Sequence, residues 1–415
     1  MVSRKVLALV SLAVLIVGGN FLTWEPEALN SNGINNTNIN KTVQAFYHSG
    51  VNTGNIKKDL PSGKNYIDAS GRYNNKQDMK RQLRGREIRR VQGQNPVGIV
   101  EPIKRTPVNK NSGITDIALN TDSAVNDPGY KYEWAVTLTE ANKSWALINQ
   151  QRQIKVAVVD TGVDYTHNDL KNRVLTDLGY NFIDNNKNVM DDNGHGTHVS
   201  GIIAAEANNN EGITGIVGAL DVKIIPIKVL DAQGEGEADV VAKGIKYAAD
   251  NGADIINLSF GTEGESRVIE SAIAYAKEKG VFIVVAAGND NSDADLYTPA
   301  GDDKDVYTVS AISQQYKKAS FSNYGTSIDA AAPGVKIIST VPNGYAVWDG
   351  TSMAAPIVSG ISALVKAQNP NLTPDEIAEV LNSTTTDILT TGEDLQSGHG
   401  LVNAYKAVNK VKSNF

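Results

Sequence analysis

The sequence predicts an α/β fold, in which a mostly parallel central sheet is wrapped by helices on both faces. A signal segment and a poorly structured pro-region precede this fold. The first observation is a set of continuous apolar runs of strand length, typical of strands that are covered on both faces. These runs are Ile154–Asp160, Val222–Leu230, Asp254–Leu258 and Val281–Ala287. The second observation is that amphipathic helical segments lie between them, at Glu237–Asp250 and Ser266–Lys279. Strands that alternate with helices favour a parallel sheet.

Composition bounds the class of protein. The chain has 415 residues, of which 41% are apolar and 20% are charged, as in ordinary soluble globular proteins. It contains no cysteine, which excludes disulfides, thiol catalysis and cysteine-ligated metals. Met1–Asn126 holds 17 Lys+Arg and 9 Asp+Glu, a net +8, whereas the remainder holds 22 and 37, a net −15. No stretch interleaves basic and aromatic residues, so no nucleic-acid partner is expected.

The N-terminal third predicts export rather than a folded core. Arg4 and Lys5 precede the apolar run Val6–Val17, the pattern of a secretory signal. We therefore expect a signal peptide in residues 1–24, or a membrane anchor if this segment is not cleaved. Residues 25–122 are rich in Asn, Gly, Lys and Arg and read as a pro-region or spacer. Residues 123–415 contain the predicted strands and helices and form the predicted folded domain.

Two polar residues follow buried strands at the sheet edge where α/β proteins bind ligands. Asp160 ends the first strand, where a carboxylate is costly unless it is paired. It could orient a histidine, with turn capping as the alternative. Asn289 follows the strand Val281–Ala287, where its amide could stabilise an oxyanion or simply form a turn.

A histidine and a serine each begin a predicted helix. His195 lies between two glycines and precedes the apolar run Val199–Ala205, so it is a candidate general base or a helix cap. Ser352 precedes the apolar run Ile357–Val365. The first turn of a helix has unpaired N–H donors, which suits a nucleophile with an oxyanion hole, although an N-cap serine has the same pattern. Further helices are predicted at Thr373–Asn382 and Leu401–Val411.

Three motifs occur in the order Asp, His, Ser: Val159–Gly162, His195–His198 and Gly350–Pro356. In this respect the chain resembles the subtilisin family of serine peptidases, and is most similar to thermitase-like and cell-wall-associated bacterial members. The resemblance covers about Asp127 to Val411. It implies that Asp160 orients His195, that His195 is the general base and acid, and that Ser352 is the nucleophile. Asn289 and the Ser352 backbone N–H would form the oxyanion hole, and His198 would be structural.

The resemblance also implies how a substrate is held. An extended peptide would pair with two strand edges, near Gly234–Gly236 and Leu258–Gly261. The substrate-binding residues implied are Gly234, Gly236, Ser259, Phe260, Gly261, Ala287 and Gly288. An acidic loop follows Asn289, with Asp290, Asp293 and Asp295. From this loop we expect some tolerance for a basic residue before the cut.

Structural Ca²⁺ is a further implication of the resemblance, because hard cations take clustered oxygen ligands in loops. The first implied site comprises Asp169 with Ala207, Asn209, Glu211 and Ile213. The second comprises Asn181, Asp184, Asn186 and Asn188, with asparagine at several positions where an acid is common. Solvated polar loops are the alternative for both.

The function implied is that of an exported serine endopeptidase, which hydrolyses protein or peptide substrates through an acyl-enzyme. It would be secreted or cell-wall-associated, or membrane-anchored with the peptidase domain outside. Its own pro-region is expected to inhibit it as a zymogen, with self-processing within Gly98–Asn126. One alternative is a dedicated peptidase that removes leader peptides or propeptides, and another is a non-catalytic binding module. A nucleotide-binding protein is disfavoured, because no glycine-rich phosphate loop follows the first strand.

Overall fold

The computed structural model describes residues 15–17, 20–22, 97–99, 104–108, 125–302 and 304–414. The chain divides into two compact units, Met1–Arg72 and Tyr73–Phe415. In the first unit, β1 (Leu15–Val17) pairs antiparallel with β2 (Asn20–Leu22). The rest of the predicted signal segment lies outside the described residues, as does most of the predicted pro-region. Their boundaries stay predictions.

The second unit contains the remaining described strands and helices. Its strands are β3 (Val97–Ile99), β4 (Lys104–Val108), β5 (Ile154–Asp160), β6 (Tyr180–Asn181), β7 (Val222–Lys228), β8 (Glu235–Gly236), β9 (Ile255–Leu258), β10 (Phe260–Glu263), β11 (Phe282–Ala286), β12 (Tyr297–Thr298), β13 (Tyr307–Ile312), β14 (Ile328–Pro333), β15 (Ile337–Val341) and β16 (Gly344–Asp349). Its α-helices are α1 (Trp134–Leu138), α2 (Ala141–Ser144), α3 (His195–Ala204), α4 (Ala238–Asp250), α5 (Arg267–Glu278), α6 (Thr351–Gln368), α7 (Pro374–Thr384) and α8 (Ala404–Asn414).

The central sheet has seven strands in the order β14-β13-β11-β9-β5-β7-β6. Every neighbouring pair in it is parallel. The four predicted apolar runs form β5, β7, β9 and β11, which are neighbours in the middle of this sheet. The predicted α/β fold with a mostly parallel sheet is therefore confirmed.

Helices cover both faces of the sheet. Along β5, Val156 and Val158 pack into one hydrophobic cluster, whereas Ala157 and Val159 pack into another. The first cluster contains residues of α3 and α6, and the second contains residues of α4 and α5. Because successive side chains of a strand point to opposite faces, both faces must be apolar. Polar chemistry is thereby restricted to the ends of the strands.

Several elements were not predicted, among them β13, β14 and the hairpin of β15 and β16. Serine and threonine interrupt the apolar runs of β13 and β15, and β14 is rich in alanine, which carries little strand preference. The hairpin turns through Pro342 and Asn343, and Asn343 has a φ of 66°. Asn tolerates this left-handed conformation better than most residues, so the turn residues were the part of the sequence that could have indicated this hairpin.

Two smaller sheets complete the second unit. One has the order β12-β10-β3-β8, and the other has the order β15-β16-β4. Both contain a strand from the N-terminal third of the chain, β3 or β4. Among the helices of the described residues, none is long and apolar enough to span a bilayer.

Candidate active site

A buried carboxylate and an imidazole meet at the carboxyl end of β5. Nδ1 of His195 lies 2.9 Å from Oδ1 and 3.0 Å from Oδ2 of Asp160. Both side chains are fully buried. The same Oδ1 accepts the backbone N–H of Thr161 at 2.7 Å. With Nδ1 donating to Asp160, Nε2 is the ring atom that can accept a proton. Among the described residues, Nε2 of His195 has no hydrogen-bond partner.

Helix α3 presents His195 because its first turn lies against the loop that follows β5. The backbone N–H of Gly196 donates to Thr161 Oγ1 at 3.0 Å. A Cβ atom at position 196 would lie 2.1 Å from the Gly162 carbonyl oxygen, so only glycine permits this approach. The glycine that follows His195 in the sequence is therefore required by this contact.

Asp191 holds the same two segments together, and the sequence argument missed it. Its Oδ1 accepts from Thr161 Oγ1 at 2.8 Å and from Gly194 N at 2.8 Å. Its Oδ2 accepts from the backbone N–H and the hydroxyl of Thr197, at 2.9 and 2.6 Å. A carboxylate at a helix N-terminus is favourable, and this one also fixes the His195 backbone relative to Asp160. The sequence does contain a signal that could have identified Asp191, because this acid lies four residues before the histidine that begins α3.

Trp348 packs against both histidines of the motif. Its ring lies parallel to that of His198, with centroids 4.3 Å apart, and its centroid is 6.2 Å from that of His195. Nε2 of His198 lies 3.2 Å from the Ala346 carbonyl oxygen. His198 is thus part of the packing between α3 and β16, which agrees with the structural role that the resemblance implies.

Ser352 is the second residue of α6, and α6 packs against α3. Its hydroxyl donates to the Ser259 carbonyl oxygen at 3.1 Å, and its own carbonyl accepts from Ser259 Oγ at 3.1 Å. Ser352 is fully buried. These reciprocal bonds join the start of α6 to the residue between β9 and β10.

Asn289 lies beside the same helix start. Its Oδ1 accepts from the backbone N–H of Thr351 at 3.0 Å and from the Thr351 hydroxyl at 2.9 Å. The backbone N–H of Gly288 donates to Thr351 Oγ1 at 3.1 Å. Since the amide oxygen is bound to Thr351, the rotation of the amide is fixed and its Nδ2 points away from Thr351. The structure therefore brings Asn289 next to Ser352.

The two strand edges implied for substrate binding lie one strand apart. Both β8 and β10 pair antiparallel with β3, which runs between them. The residues implied at these edges, Gly236, Phe260 and Gly261, are all in this pairing. Gly234 precedes β8, and Ser259 precedes β10. Ala287 and Gly288 follow β11, which pairs with β9.

In the acidic loop after Asn289, two of the three carboxylates accept hydrogen bonds from other groups of the protein. Asp293 accepts from the Asp295 backbone N–H at 3.2 Å. Asp295 accepts from the Ser327 backbone N–H at 2.8 Å and from the Thr326 hydroxyl. Asp290 is exposed. Tolerance for a basic residue before the cut stays a prediction, with weaker support from Asp293 and Asp295.

The first loop implied for calcium closes around Asp169, which is fully buried. Asp169 accepts from Asn209 Nδ2 at 2.7 Å, from Ile213 N at 2.9 Å and from the Tyr345 hydroxyl at 2.9 Å. Burial is the main cause that raises the pKa of Asp169. Burial also raises the pKa of Glu133 well above its usual value, and the charges of Asp127 and Asp169 add to this.

These three carboxylates are a local excess of negative charge. Within residues 125–302 and 304–414, no lysine or arginine forms an ion pair with Asp127, Glu133 or Asp169. A hard cation held by oxygen ligands fits this donor set. In the described part of the chain, no group of three or more His, Cys, Asp or Glu side chains could hold a metal ion. Amide and carbonyl oxygens would therefore have to supply most of the ligands.

The second implied loop is held by its own hydrogen bonds. Asn181 Nδ2 donates to Asp184 Oδ2 at 3.1 Å and to the Asn188 carbonyl at 2.8 Å. Asn181 Oδ1 accepts from the backbone N–H groups of Ile183 and Asp184. Asn186 accepts from the backbone of Asn188 at 2.8 Å. The four residues are brought together as expected, and a cation among them stays a prediction.

Comparison with known proteins matches residues 151–400 to the subtilase family. The cell wall-associated protease of Bacillus subtilis (strain 168) is 46% identical over 312 residues, which are 69% of this chain and 34% of that protein. Thermitase of Thermoactinomyces vulgaris is 40% identical over 285 residues, which are 68% of this chain and 98% of thermitase. This chain thus spans about a third of the first relative and nearly all of the second.

A solved structure is also similar. It is that of fervidolysin from Fervidobacterium pennivorans, a keratinolytic enzyme related to subtilisin. The TM-score is 0.63 at 33% sequence identity, and the match covers 75% of this chain and 51% of that chain.

Replacing Asp191 by asparagine tests its positioning role. The asparagine side chain replaces one accepting oxygen of Asp191 with an NH₂ group, which would face the N–H and O–H donors around it. We therefore expect α3 to shift relative to Asp160. We expect kcat for a peptide substrate to fall about ten- to a hundredfold with little change in KM, because small misplacements of catalytic groups are costly. Steady-state kinetics on correctly folded protein measures this. The exposed Asp177→Asn is the matched control, and an unchanged kcat in Asp191→Asn would contradict the role.

Proposed function

Because the chain belongs to the subtilase family, we propose that it is a serine endopeptidase that uses Asp160, His195 and Ser352 as its catalytic triad. The observation that carries this proposal is the 2.9 Å contact between Asp160 and Nδ1 of His195. A fully buried acid–imidazole pair at the carboxyl end of the sheet has no need to exist for packing alone. It suits a base whose protonated form must be stabilised.

The proposed reaction proceeds through an acyl-enzyme. Ser352 turns its hydroxyl from the Ser259 carbonyl towards Nε2 of His195, a rotation about χ1. His195 takes the proton as Oγ attacks the substrate carbonyl, and then passes it to the leaving amine. In the second half of the reaction, His195 takes a proton from water as the water attacks the acyl-enzyme, and then returns the proton to Ser352 Oγ. Asp160 keeps the imidazole in the required tautomer and stabilises its charged form.

We further propose that Nδ2 of Asn289 and the backbone N–H of Ser352 stabilise the oxyanion. Two features support this. The amide oxygen of Asn289 is anchored on Thr351, which orients the amide without cost during the reaction. Ser352 lies in the first turn of α6, where backbone N–H groups have no partner within the helix.

The proposed substrates are extended stretches of protein or peptide. The paired edges of β8 and β10 support this, because each offers backbone groups to a strand between them. The N-terminal pattern of Arg4, Lys5 and an apolar run supports export, to the cell wall or the medium. The pro-region is the proposed inhibitor of the uncut chain. A non-catalytic binding protein would not need Asp160, His195 or Ser352, so this alternative is disfavoured.

Calcium is proposed as a structural ion at the first loop. The side chains of Asp169 and Asn209 and the carbonyls of Ala207, Glu211 and Ile213 would hold it. Bound there, the cation would offset the negative charge of the three buried carboxylates and stabilise the folded loop. It would take no part in peptide hydrolysis.

A fluorophosphonate probe tests the nucleophile. We expect the processed protein to be labelled, Ser352→Ala to lose labelling, and His195→Ala to slow it about 10²- to 10⁴-fold because the general base is absent. The matched control is Ser362→Ala, a buried serine of the same helix that bonds only to the helix backbone at Val358. Labelling retained in Ser352→Ala would reject the assignment, and so would labelling lost in Ser362→Ala with the fold intact.

Asn289→Ala tests the oxyanion hole. We expect kcat to fall about 10²- to 10³-fold with KM nearly unchanged, a range that was measured on subtilisin, a member of the same family. The donor acts on charge that develops only in the transition state, so substrate binding is spared. A change confined to KM would show that Asn289 binds substrate instead.

Chelation tests the cation. In a Ser352→Ala background, which prevents self-digestion, we expect excess chelator to lower the melting temperature by several degrees, since a bound ligand stabilises by mass action. Asp169→Asn should melt lower and respond little to chelator. Asp184→Asn, in the second loop, should keep the full response. An identical melting curve with and without chelator in the Ser352→Ala protein would overturn the proposal.

A further inference from the structure

A cavity lies at the end of the central sheet opposite the candidate active site. Its volume is about 460 Å³, which is within the range of cavities that bind small ligands. It is lined by the amino ends of β5 and β9, the carboxyl end of α6, the loops that follow α4 and α5, and the start of α7. Among the described residues, its charged lining consists of Arg152, Lys155, Asp254, Lys279 and Lys366.

This cavity is too far from the catalytic groups to be part of the peptide cleft. Lys155 lies five residues before Asp160 along β5, which is about 17 Å at about 3.3 Å per residue. Lys366 lies fourteen residues after Ser352 along α6, which is about 21 Å at about 1.5 Å per residue. A ligand held here would therefore make no contact with the reacting atoms.

The cavity concentrates positive charge on an acidic protein. The whole chain has a net charge of −7, whereas the four basic side chains and the one acidic side chain of the cavity sum to +3. A concave surface that is lined by one sign of charge focuses its field and attracts ions of the opposite sign. The charge of the lining therefore favours an anion.

The carboxylate of the lining is already neutralised. Arg152 donates to Asp254 through two nitrogens, from Nη2 to Oδ1 at 2.6 Å and from Nη1 to Oδ2 at 3.0 Å. Oδ2 of Asp254 also accepts the backbone N–H of Lys155 at 2.9 Å. Bidentate pairs of this kind are among the strong hydrogen bonds of proteins. Asp254 therefore does not offset the charge of the lysines.

Lys366 is a buried cation at the wall of the cavity. It is 6% exposed, and burial is the main cause that lowers the pKa of Lys366. Its Nζ donates to the carbonyl oxygens of Leu372 at 2.6 Å and of Pro370 at 3.2 Å. An ammonium group has three N–H donors, so one remains for a ligand. The carboxylate of Glu376, in the first turn of α7, accepts hydrogen bonds from Thr373.

Lys155 and Lys279 add two further cations. Nζ of Lys155 lies 3.4 Å from the Asn251 carbonyl oxygen. Nζ of Lys279 lies 3.3 Å from Oδ1 of Asp250, but these side chains are 50% and 48% exposed, and such a surface pair contributes little. Among the side chains that the structure describes, neither Lys155 nor Lys366 forms an ion pair with an acid. An anion in the cavity would offset both charges.

Helix ends account for only part of this basic lining. Lys366 is in the last turn of α6 and Lys279 follows α5, where the helix dipole favours cations. Lys155 belongs to a strand, so no helix end explains its position. Gly252 and Gly280 follow α4 and α5 with φ of 75° and 84°, and they leave this part of the wall without side chains. The lysines therefore line an open cavity.

We propose that this cavity is a binding site for phosphate groups, with Lys155 and Lys366 as the main cationic partners. A phosphate group carries a charge of about −1.5 to −2 at pH 7 and several strong acceptor oxygens, so it can offset both lysine charges. The volume leaves room for more than one phosphate group, so the occupant is free phosphate or a short chain of phosphates. Bound there, it joins the amino end of β5 to the carboxyl end of α6.

Calorimetric titration tests the binding. The full-length Ser352→Ala chain, which does not digest itself, is titrated at constant ionic strength with inorganic phosphate and, separately, with tripolyphosphate. We expect saturable binding. Tighter binding of tripolyphosphate would identify a chain of phosphates as the occupant, and equal or weaker binding would identify the free ion. If neither compound binds saturably, the proposal is wrong.

Removing one lysine at a time tests the partners. Lys155→Gln and Lys366→Met should each raise the Kd about tenfold or more, since a hydrogen bond between charged groups is lost. Lys155→Gln is the safer variant, because Nζ of Lys366 also binds two carbonyl oxygens of the fold. Lys317→Gln, at an exposed lysine outside the cavity, is the matched control and should keep the parent Kd. An unchanged Kd in Lys155→Gln, or an equal loss in Lys317→Gln, would overturn the proposal.

Melting curves distinguish binding from a general salt effect. Phosphate stabilises many proteins because it is excluded from their surface. That effect would raise the melting temperature of the parent chain and of Lys155→Gln equally, which would contradict a bound phosphate. With binding in the cavity, Lys155→Gln should lose most of the rise and Lys317→Gln should keep it. These measurements do not involve the reactivity of Ser352, so they can fail while the proposed peptidase function holds, and the reverse.

Discussion

A carboxylate at the end of a strand that is covered on both faces has to be compensated by partners inside the protein, and Asp160 sets this requirement here. Its oxygens meet the Thr161 N–H and the imidazole of His195. The imidazole can reach it only if α3 begins beside the loop after β5. That approach requires glycine at position 196 and is fixed by Asp191. The loop, the helix start and the histidine orientation thus follow from one buried charge.

The other half of the site follows from the geometry of parallel strands. The carboxyl ends of β5, β9 and β11 lie at one edge of the sheet, so residues distant in sequence meet there. Ser259, after β9, bonds to Ser352, and Asn289, after β11, bonds to Thr351. The start of α6 is therefore held from two strands at once. This explains how a serine hydroxyl and an amide group come to lie side by side although they are far apart in the sequence.

Strands β8 and β10 pair with the same strand, β3, on its two sides. Their facing edges therefore lie one strand apart, and an unpaired edge of this kind is one that sheets generally avoid exposing. Pairing within the chain protects the backbone groups of these edges.

The sequence alone determined the fold class and the four central strands, and it singled out Asp160, His195, Ser352 and Asn289 as candidate site residues. It could do so because buried strands and helix starts have strong local patterns, and because the order of the three motifs is specific. It did not reveal Asp191 as the link between the loop and α3. It also did not reveal β13 to β16, among which polar residues or a run of alanines interrupt the apolar pattern of β13, β14 and β15. Only the tertiary structure decided which strand pairs between β8 and β10, and in which register. Strand pairing depends on contacts between residues far apart in the chain, and three residues such as Val97–Ile99 carry no local signal of their partner.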